Sequence, residues 1–328
     1  MSMSTAGVAG GPSTGVVLTG AVQAAYSQEI LHAAQPVLRF AQFAEVKEEL
    51  GRLPGNSINF LRYGDVLGSA VLTEGTDLTT DNLNSSLITI TVGEKGKALQ
   101  VAELLLNTSF DDVMASMTRK LGEHYARSLD GQIRNSLRGT PNLIRVNNRA
   151  TRAAFVAGDT FNMEIVRVAV ERLATNKAPK FDGDYFICLL HPHQASYLRR
   201  DPDWIKVVNY GDPTRAFRGE IGRIEDVRFI ETTNTTVVKS AAYATPGQVH
   251  ADGRADADLA DEADRHATID TYQAYMLGAN AVGIAYALPV EIRDNGIEDF
   301  GRKHSLAWYG IYGSGRIEDG HSLLVESV

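Results

Sequence analysis

Cys188 is the only cysteine in the 328 residues. The chain therefore forms no intramolecular disulfide and no zinc site built on cysteines, and a reducing compartment is expected. Basic residues are absent from the start: no Lys or Arg precedes Arg39. A secretory signal needs a basic start followed by an apolar stretch, and a transit peptide needs arginines; neither pattern is met. Long hydrophobic runs are missing too. The most apolar segment, residues 274–290, is rich in Ala and Gly and broken by Asn280, too short and too weak for a membrane span. Positive charge is in deficit: 32 Lys and Arg against 40 Asp and Glu leave a net charge of −8. That excludes a protein-wide electrostatic footprint for nucleic acid, but not a local basic face.

What is present supports a real core. Apolar residues make up 44% of the chain, and its length suits two domains or one elaborate one. Residues 1–20 are small, polar and Gly-rich, with too little apolar surface to offset their ordering entropy, so a mobile arm is expected. Residues 21–50 read as helical, with Val22, Tyr26, Ile30 and Leu31 on one stripe, a break at Pro36, and Leu38, Phe40, Phe43 and Val46 in a second piece. From 54 to 96 the pattern changes to period two. "PGNSINFLRY" and "SLITITV" both read as strands, joined by a polar, Gly-containing stretch from about Tyr63 to Ser86. An arm of about 15 residues per side reaches roughly 50 Å, and a hairpin of that length is unstable alone in water. It has to lie on its own body or on a neighbour.

Behind it comes the strongest helix, expected over 109–138. Phe110, Met114, Met117, Leu121, Tyr125, Leu129, Ile133 and Leu137 recur every three to four residues; Thr108 or Ser109 with Asp111 and Asp112 suits its start, and Gly139 and Pro141 its end. A helix near 159–175, an apolar strand at 185–192 and a helix from His193 to about Asn209 suggest an α/β subdomain. Residues 219–234 read as turn, strand, turn. Residues 239–267 lack large apolar side chains almost entirely and read as an exposed insertion. Residues 271–287 return to the core as a buried strand or helix–strand unit, and two aromatic-rich strands surround Gly313, Gly315 and Gly320 near the C-terminus.

Candidate chemistry is sparse. His191 and His193 resemble a two-histidine metal pair, but a third ligand would be needed, and His-Pro is also an ordinary strand end. Asp252, Asp256, Asp258, Asp261, Glu262 and Asp264 lack the fixed spacing, central Gly and terminal Glu of a calcium loop. "GSGRIEDG" (313–320) is not G-x-G-x-x-G and opens no helix, so it implies no phosphate cradle. Cys188 lies in an apolar strand, where a thiol is inert packing. "DGD" (182–184) and "DPD" (201–203) are Asx-type turns. No nucleophile, base and oxyanion set emerges, so no catalytic residue, cofactor or metal ligand is assigned. The residues by themselves describe an α+β body with extended arms, a design that suits self-assembly through several contacts.

The order of these stretches resembles the major capsid proteins of tailed bacteriophages with the Hong Kong 97-type fold, and within them the branch named after coliphage N-four. The resemblance rests on "LRFAQFAEVKEELGRLPGNSINFLRYGDV" (38–66), "LTEGTDLTTDNL" (72–83), "DDVMASMTRKLGEHYARSLDGQIRNSLRG" (111–139), "GEIGRIEDVRFIETTN" (219–234) and "YGIYGSGRI" (309–317), and covers nearly the whole chain from about residue 20. It implies an N-terminal arm (1–53), an extended loop (54–96), a peripheral domain (97–155 and 288–328) holding the spine helix, and an axial domain (156–287) carrying the 239–267 insertion. It further implies hexamers and pentamers of an icosahedral head around double-stranded DNA, assembled in the host cytoplasm, with portal, scaffolding and decoration proteins as further partners, non-specific contact with the DNA, and no membrane. Inter-subunit contacts are expected at Leu72, Glu74, Gly75, Leu78, Ile88 and Ile90. In Glu74-Gly75, the glycine can turn the chain and the carboxylate can pair with a basic residue of a neighbour; a plain turn with a solvated Glu is the alternative. A bacterial encapsulin-type compartment shares the fold, and a metal-dependent hydrolase using His191 and His193 is the rival from another class.

Overall fold

A computed structural model describes residues 38–47, 57–63, 85–109, 112–204, 220–240 and 266–328. The first strands are β1 (Glu45–Lys47), β2 (Ser57–Tyr63), β3 (Ser85–Thr91) and β4 (Gly93–Ala102), followed by helices α1 (Glu103–Thr108) and α2 (Val113–Arg138). Next come β5 (Leu143–Arg145), α3 (Met163–Thr175), β6 (Phe186–Leu190) and α4 (Pro192–Leu198). The remainder is all strand: β7 (Glu220–Ile224), β8 (Val227–Glu231), β9 (Val237–Val238), β10 (Thr271–Leu277), β11 (Val282–Glu298), β12 (Lys303–Arg316) and β13 (Ser322–Ser327).

Two larger sheets organise these elements. One has the order β1-β11-β12-β4; the other runs β5-β13-β10-β6-β8-β7, with β9 also on β10. The second is mixed: β6 runs parallel to β8 and β13 to β5, while β10 is antiparallel to β6 and β13. Its centre explains the apolar run "FICLL", since every residue of β6 is buried, as strands covered on both faces require. Cys188 lies there fully buried, and burial pushes its thiol far above the ordinary value. The apolar stripe of α3 covers one face of this sheet, so that Val166, Ala169 and Leu173 meet Cys188, Leu190, Ala274 and Val325.

α2 forms where the periodicity is strongest. Its start is Asp112, whose carboxylate accepts from the backbone N–H of Met114 and Ala115 at 3.1 Å each; the helix thus begins at Val113, four residues later than expected. Leu121, Tyr125, Leu129 and Ile133 bury against Trp308, Tyr312, Ile284 and Leu324, so the helix packs against strands of both sheets.

Three readings change. The second helical piece expected around residues 38–50 is instead a 3₁₀ turn at Ala41–Phe43 followed by strand β1, which pairs in parallel with Gly283–Ala285 of β11. A single carboxylate on α2 anchors the segment just before the turn. Asp130, with no exposed surface, accepts from the N–H of Arg39 (3.1 Å), Phe40 (3.0 Å) and Ala41 (3.2 Å) and from the Asn234 amide (3.1 Å). Such contacts suit the start of a helical turn; the turn ends because Ala44 is extended, with ψ 141°, and residues 45–47 pair with β11. Burial pushes the Asp130 carboxyl up, against the pull of these donors. Second, α4 ends at Leu198, while residues 205–209 lie outside the described residues. Third, residues 271–287 hold two strands, and β11 runs through the expected boundary at 287/288. The C-terminal strand β13 joins the seven-stranded sheet, between β5 and β10. Most of the 239–267 insertion lies outside the described residues; its flanks are clamped by Asp270, which accepts from Lys239 Nζ at 2.7 Å and Ser240 N–H at 2.9 Å.

Asp130→Ala leaves buried donors without an acceptor and should cost about 2–4 kcal/mol of stability, at about 1–3 kcal/mol for each stranded group with partial relaxation. Urea unfolding checks this; an unchanged midpoint would show that the residue 39–41 contacts are not held by Asp130.

Candidate assembly interface

β2 and β3 pair from Ser57↔Thr91 to Tyr63↔Ser85. Alternation gives this hairpin one apolar face, with Ile58 opposite Ile90 and Phe60 opposite Ile88. The face is covered by the four-stranded sheet, in a small cluster that includes Ala285, Val92 and Ile317. Contact this close needs a sheet surface without side chains. Gly283 stands opposite Gly315, and Ala285 opposite Gly313, so four small residues share one patch. A Cβ on Gly283 would lie 2.7 Å from Phe60 Cζ, one on Gly315 2.9 Å from Ile90 Cγ1, and one on Gly313 2.2 Å from the Thr91 carbonyl oxygen. The Lys47 ammonium closes the site over the Phe60 ring, 4.3 Å from its centroid.

Phe60 and Ile90 are thus held by their own chain, 2% and 3% exposed. Ile88 is half-buried on the same face. Leu72, Glu74, Gly75 and Leu78 lie outside the described residues. The structure places Ile88 and Ile90 together, at the base of the arm, facing the sheet that supports it. The other hairpin face carries exposed Leu87 and Tyr63, with Thr89 Oγ1 donating to Asn59 Oδ1 at 2.8 Å.

A second exposed apolar group was not anticipated from the sequence. Leu104 and Leu105 on α1 are 75% and 52% exposed, and Phe300 in the β11–β12 turn is fully exposed. They share one end of the four-stranded sheet: Ala102 pairs with Lys303, and Glu103 N–H donates to the Arg302 carbonyl at 2.9 Å. Phe300 has φ 55°, a left-handed conformation that bulky side chains rarely adopt and that costs energy. Large apolar side chains gathered in this way mark a contact surface. The available signal was "ELLLN", where only Leu106 turns inward to the core.

The histidine pair has other work. His191 Nδ1 accepts from the His193 N–H at 3.1 Å, capping α4. The His193 ring stacks on Tyr272, with centroids 4.3 Å apart. Burial, then His193 and Lys239, keeps the His191 pKa low. Among the described residues no cluster of three or more His, Cys, Asp or Glu is placed to hold a metal; the acidic residues of the insertion (252–264) lie outside them. Asp201 Oδ2 accepts from Met163 N–H at 2.9 Å, a structural role at the start of α3.

Comparison with known proteins fits this geometry. A family model described as phage capsid protein matches residues 87–319. A major capsid protein of Staphylococcus phage phiMR11 is 25% identical over 217 residues, 65% of this chain and 71% of that protein. The capsid of Ralstonia phage GP4 has a similar fold, with a TM-score of 0.66 at 15% identity over 87% of both chains. Cyanophage Pam1 capsid does as well, with a TM-score of 0.66 at 16% identity over 99% of this chain and 98% of that one.

Side chains introduced into the glycine patch should lift the hairpin. Gly313→Ala and Gly315→Val should each destabilise by about 1–3 kcal/mol, the usual range for overpacking. Gly93→Ala, with nothing within 4 Å of its added Cβ, should stay within about 1 kcal/mol of the parent. Thermal melts check the contrast; equal effects at all three positions would show that the patch is not a seat.

Proposed function

The chain belongs to the phage capsid protein family, and from that premise we propose that it is the major capsid protein of a tailed phage. In this reading it is a structural rather than a catalytic protein. It assembles with copies of itself into hexamers and pentamers of an icosahedral head around double-stranded DNA, with portal, scaffolding and decoration proteins as further partners. The observation that carries the proposal is the seated hairpin. Its base is fixed on its own sheet at Gly283, Gly313 and Gly315, while the segment 64–84 that it launches contains Leu72, Glu74, Gly75 and Leu78. In this reading a second copy supplies the partners of that segment. The apolar corner at Leu104, Leu105 and Phe300 offers another such contact. The N-terminal arm (1–53) is tied by Asp130 at residues 39–41 and also extends toward neighbours. In the same reading the axial domain (156–287) holds β6 to β10, and the peripheral domain (97–155 and 288–328) holds α2, β12 and β13.

Electron microscopy of the expressed protein tests this. Uniform hollow shells are expected; a compact monomer under every condition tried would contradict it. Within a shell-forming protein, Glu74→Gln and Gly75→Ala should lower assembly yield or shell stability. Normal assembly by both would remove Glu74 and Gly75 from the contact.

A further inference from the structure

The charge of −8 is unevenly spread. Between Arg119 and Arg127, the outward positions of α2 are Arg119, Lys120, Glu123, His124 and Arg127. Glu123 is the only carboxylate among them, and it is shared: Lys120 lies 2.9 Å from it and Arg127 4.0 Å. β4 adds two cations alongside. Lys97 stands opposite Trp308, whose indole N–H donates to His124 Nδ1 at 3.1 Å, and this places Lys97 on the helix side of the sheet. Lys95, two residues earlier, points the same way and lies over the Tyr312 ring, 5.1 Å from its centroid. No carboxylate pairs with Lys95, Lys97 or Arg119 among the described residues. The local field registers on a bystander: after burial, Lys97 and Arg127 are what keep the His124 pKa low.

We propose that this strip, Lys95 and Lys97 on β4 with Arg119, Lys120 and Arg127 on α2, binds the phosphate backbone of double-stranded DNA without reading its sequence. The choice of DNA as the polyanion rests on the phage capsid reading. The physical case is local. Lys95, Lys97 and Arg119, which have no carboxylate partner among the described residues, keep bound counterions that a phosphate backbone can displace, and that release drives binding; Lys120 and Arg127 add one net positive charge, since they share Glu123. From Arg119 to Arg127 the helix advances about 12 Å, a length over which a duplex presents about seven phosphate charges. The remainder of an acidic surface repels the same polymer, so contact is confined to this strip and the DNA is held weakly.

The test uses the full-length chain before assembly and a short DNA duplex of mixed sequence, with fluorescence anisotropy read across a salt series. Binding should weaken as salt rises, with a log–log slope of about −0.9 per phosphate neutralised. The Lys97→Gln, Arg119→Gln double variant should flatten that slope by about two, equally for unrelated sequences, and Arg119→Gln alone by about one. Lys180→Gln, which removes a cation already paired with Asp226 at 2.8 Å, should leave it unchanged. A parent chain that binds no duplex at low salt, or variants with the parent slope, would overturn the proposal. Shells that form normally while the slopes stay unchanged would defeat this inference alone; a parent that never forms shells would defeat the reading beneath it.

Discussion

The β2–β3 hairpin has one apolar face and one place to put it. Phe60 and Ile90 bury only because Gly283, Ala285, Gly313 and Gly315 leave the sheet bare at that point. The patch sits where β11 and β12 pair, and the other side of the same strands is committed to α2 through Trp308 and Tyr312. The long helix, the sheet and the β2–β3 hairpin are therefore stacked in a fixed order. Asp130 does the same for residues 39–41, joining them to α2 and to Asn234.

Buried charge reinforces the connection between distant segments. Glu326 on β13 has no exposed surface; its carboxylate accepts from Arg145 at 3.0 Å, Arg152 at 2.6 Å and Gln273 at 2.8 Å. Asp159 takes Arg149 at 2.8 Å and Asn147 at 2.7 Å, and its pKa falls because those donors outweigh burial. A buried ion pair adds little net stability, but breaking one costs several kcal/mol. The gain is definition: residues 143–160 and the C-terminal strand hold one arrangement. A subunit that must repeat the same contacts many times needs such a rigid body.

Much of this was legible in the sequence. The 3.6-residue stripe of α2, the alternation of "SLITITV" and the unbroken apolar run of β6 each correspond to an element, because each depends on local period and burial. The order of those stretches also carried the resemblance to phage capsids. What escaped depends on distant partners. β4 was not read as a strand, since Lys95 and Lys97 occupy its helix-facing positions; they are accommodated at the sheet edge, where Lys95 lies over Tyr312. The residues around Phe40 looked helical because the pattern carries no trace of the distant strand β11, with which residues 45–47 pair. Leu104, Leu105 and Phe300 come to one end of the sheet only after β4 and β12 pair. The glycines of "YGSG" were visible, but their purpose required knowing that Phe60 and Ile90 lie over them.

The central claim is that each subunit fixes the base of its own arm and gives the remainder to a neighbour. A side-chain-resolution reconstruction of the assembled particle tests it most directly. Residues 64–84 should lie across an adjacent subunit, with Phe60 and Ile90 still over Gly283 and Gly315 of their own chain. Residues 64–84 folded back on their own subunit, or a hairpin base detached from the glycine patch, would contradict it.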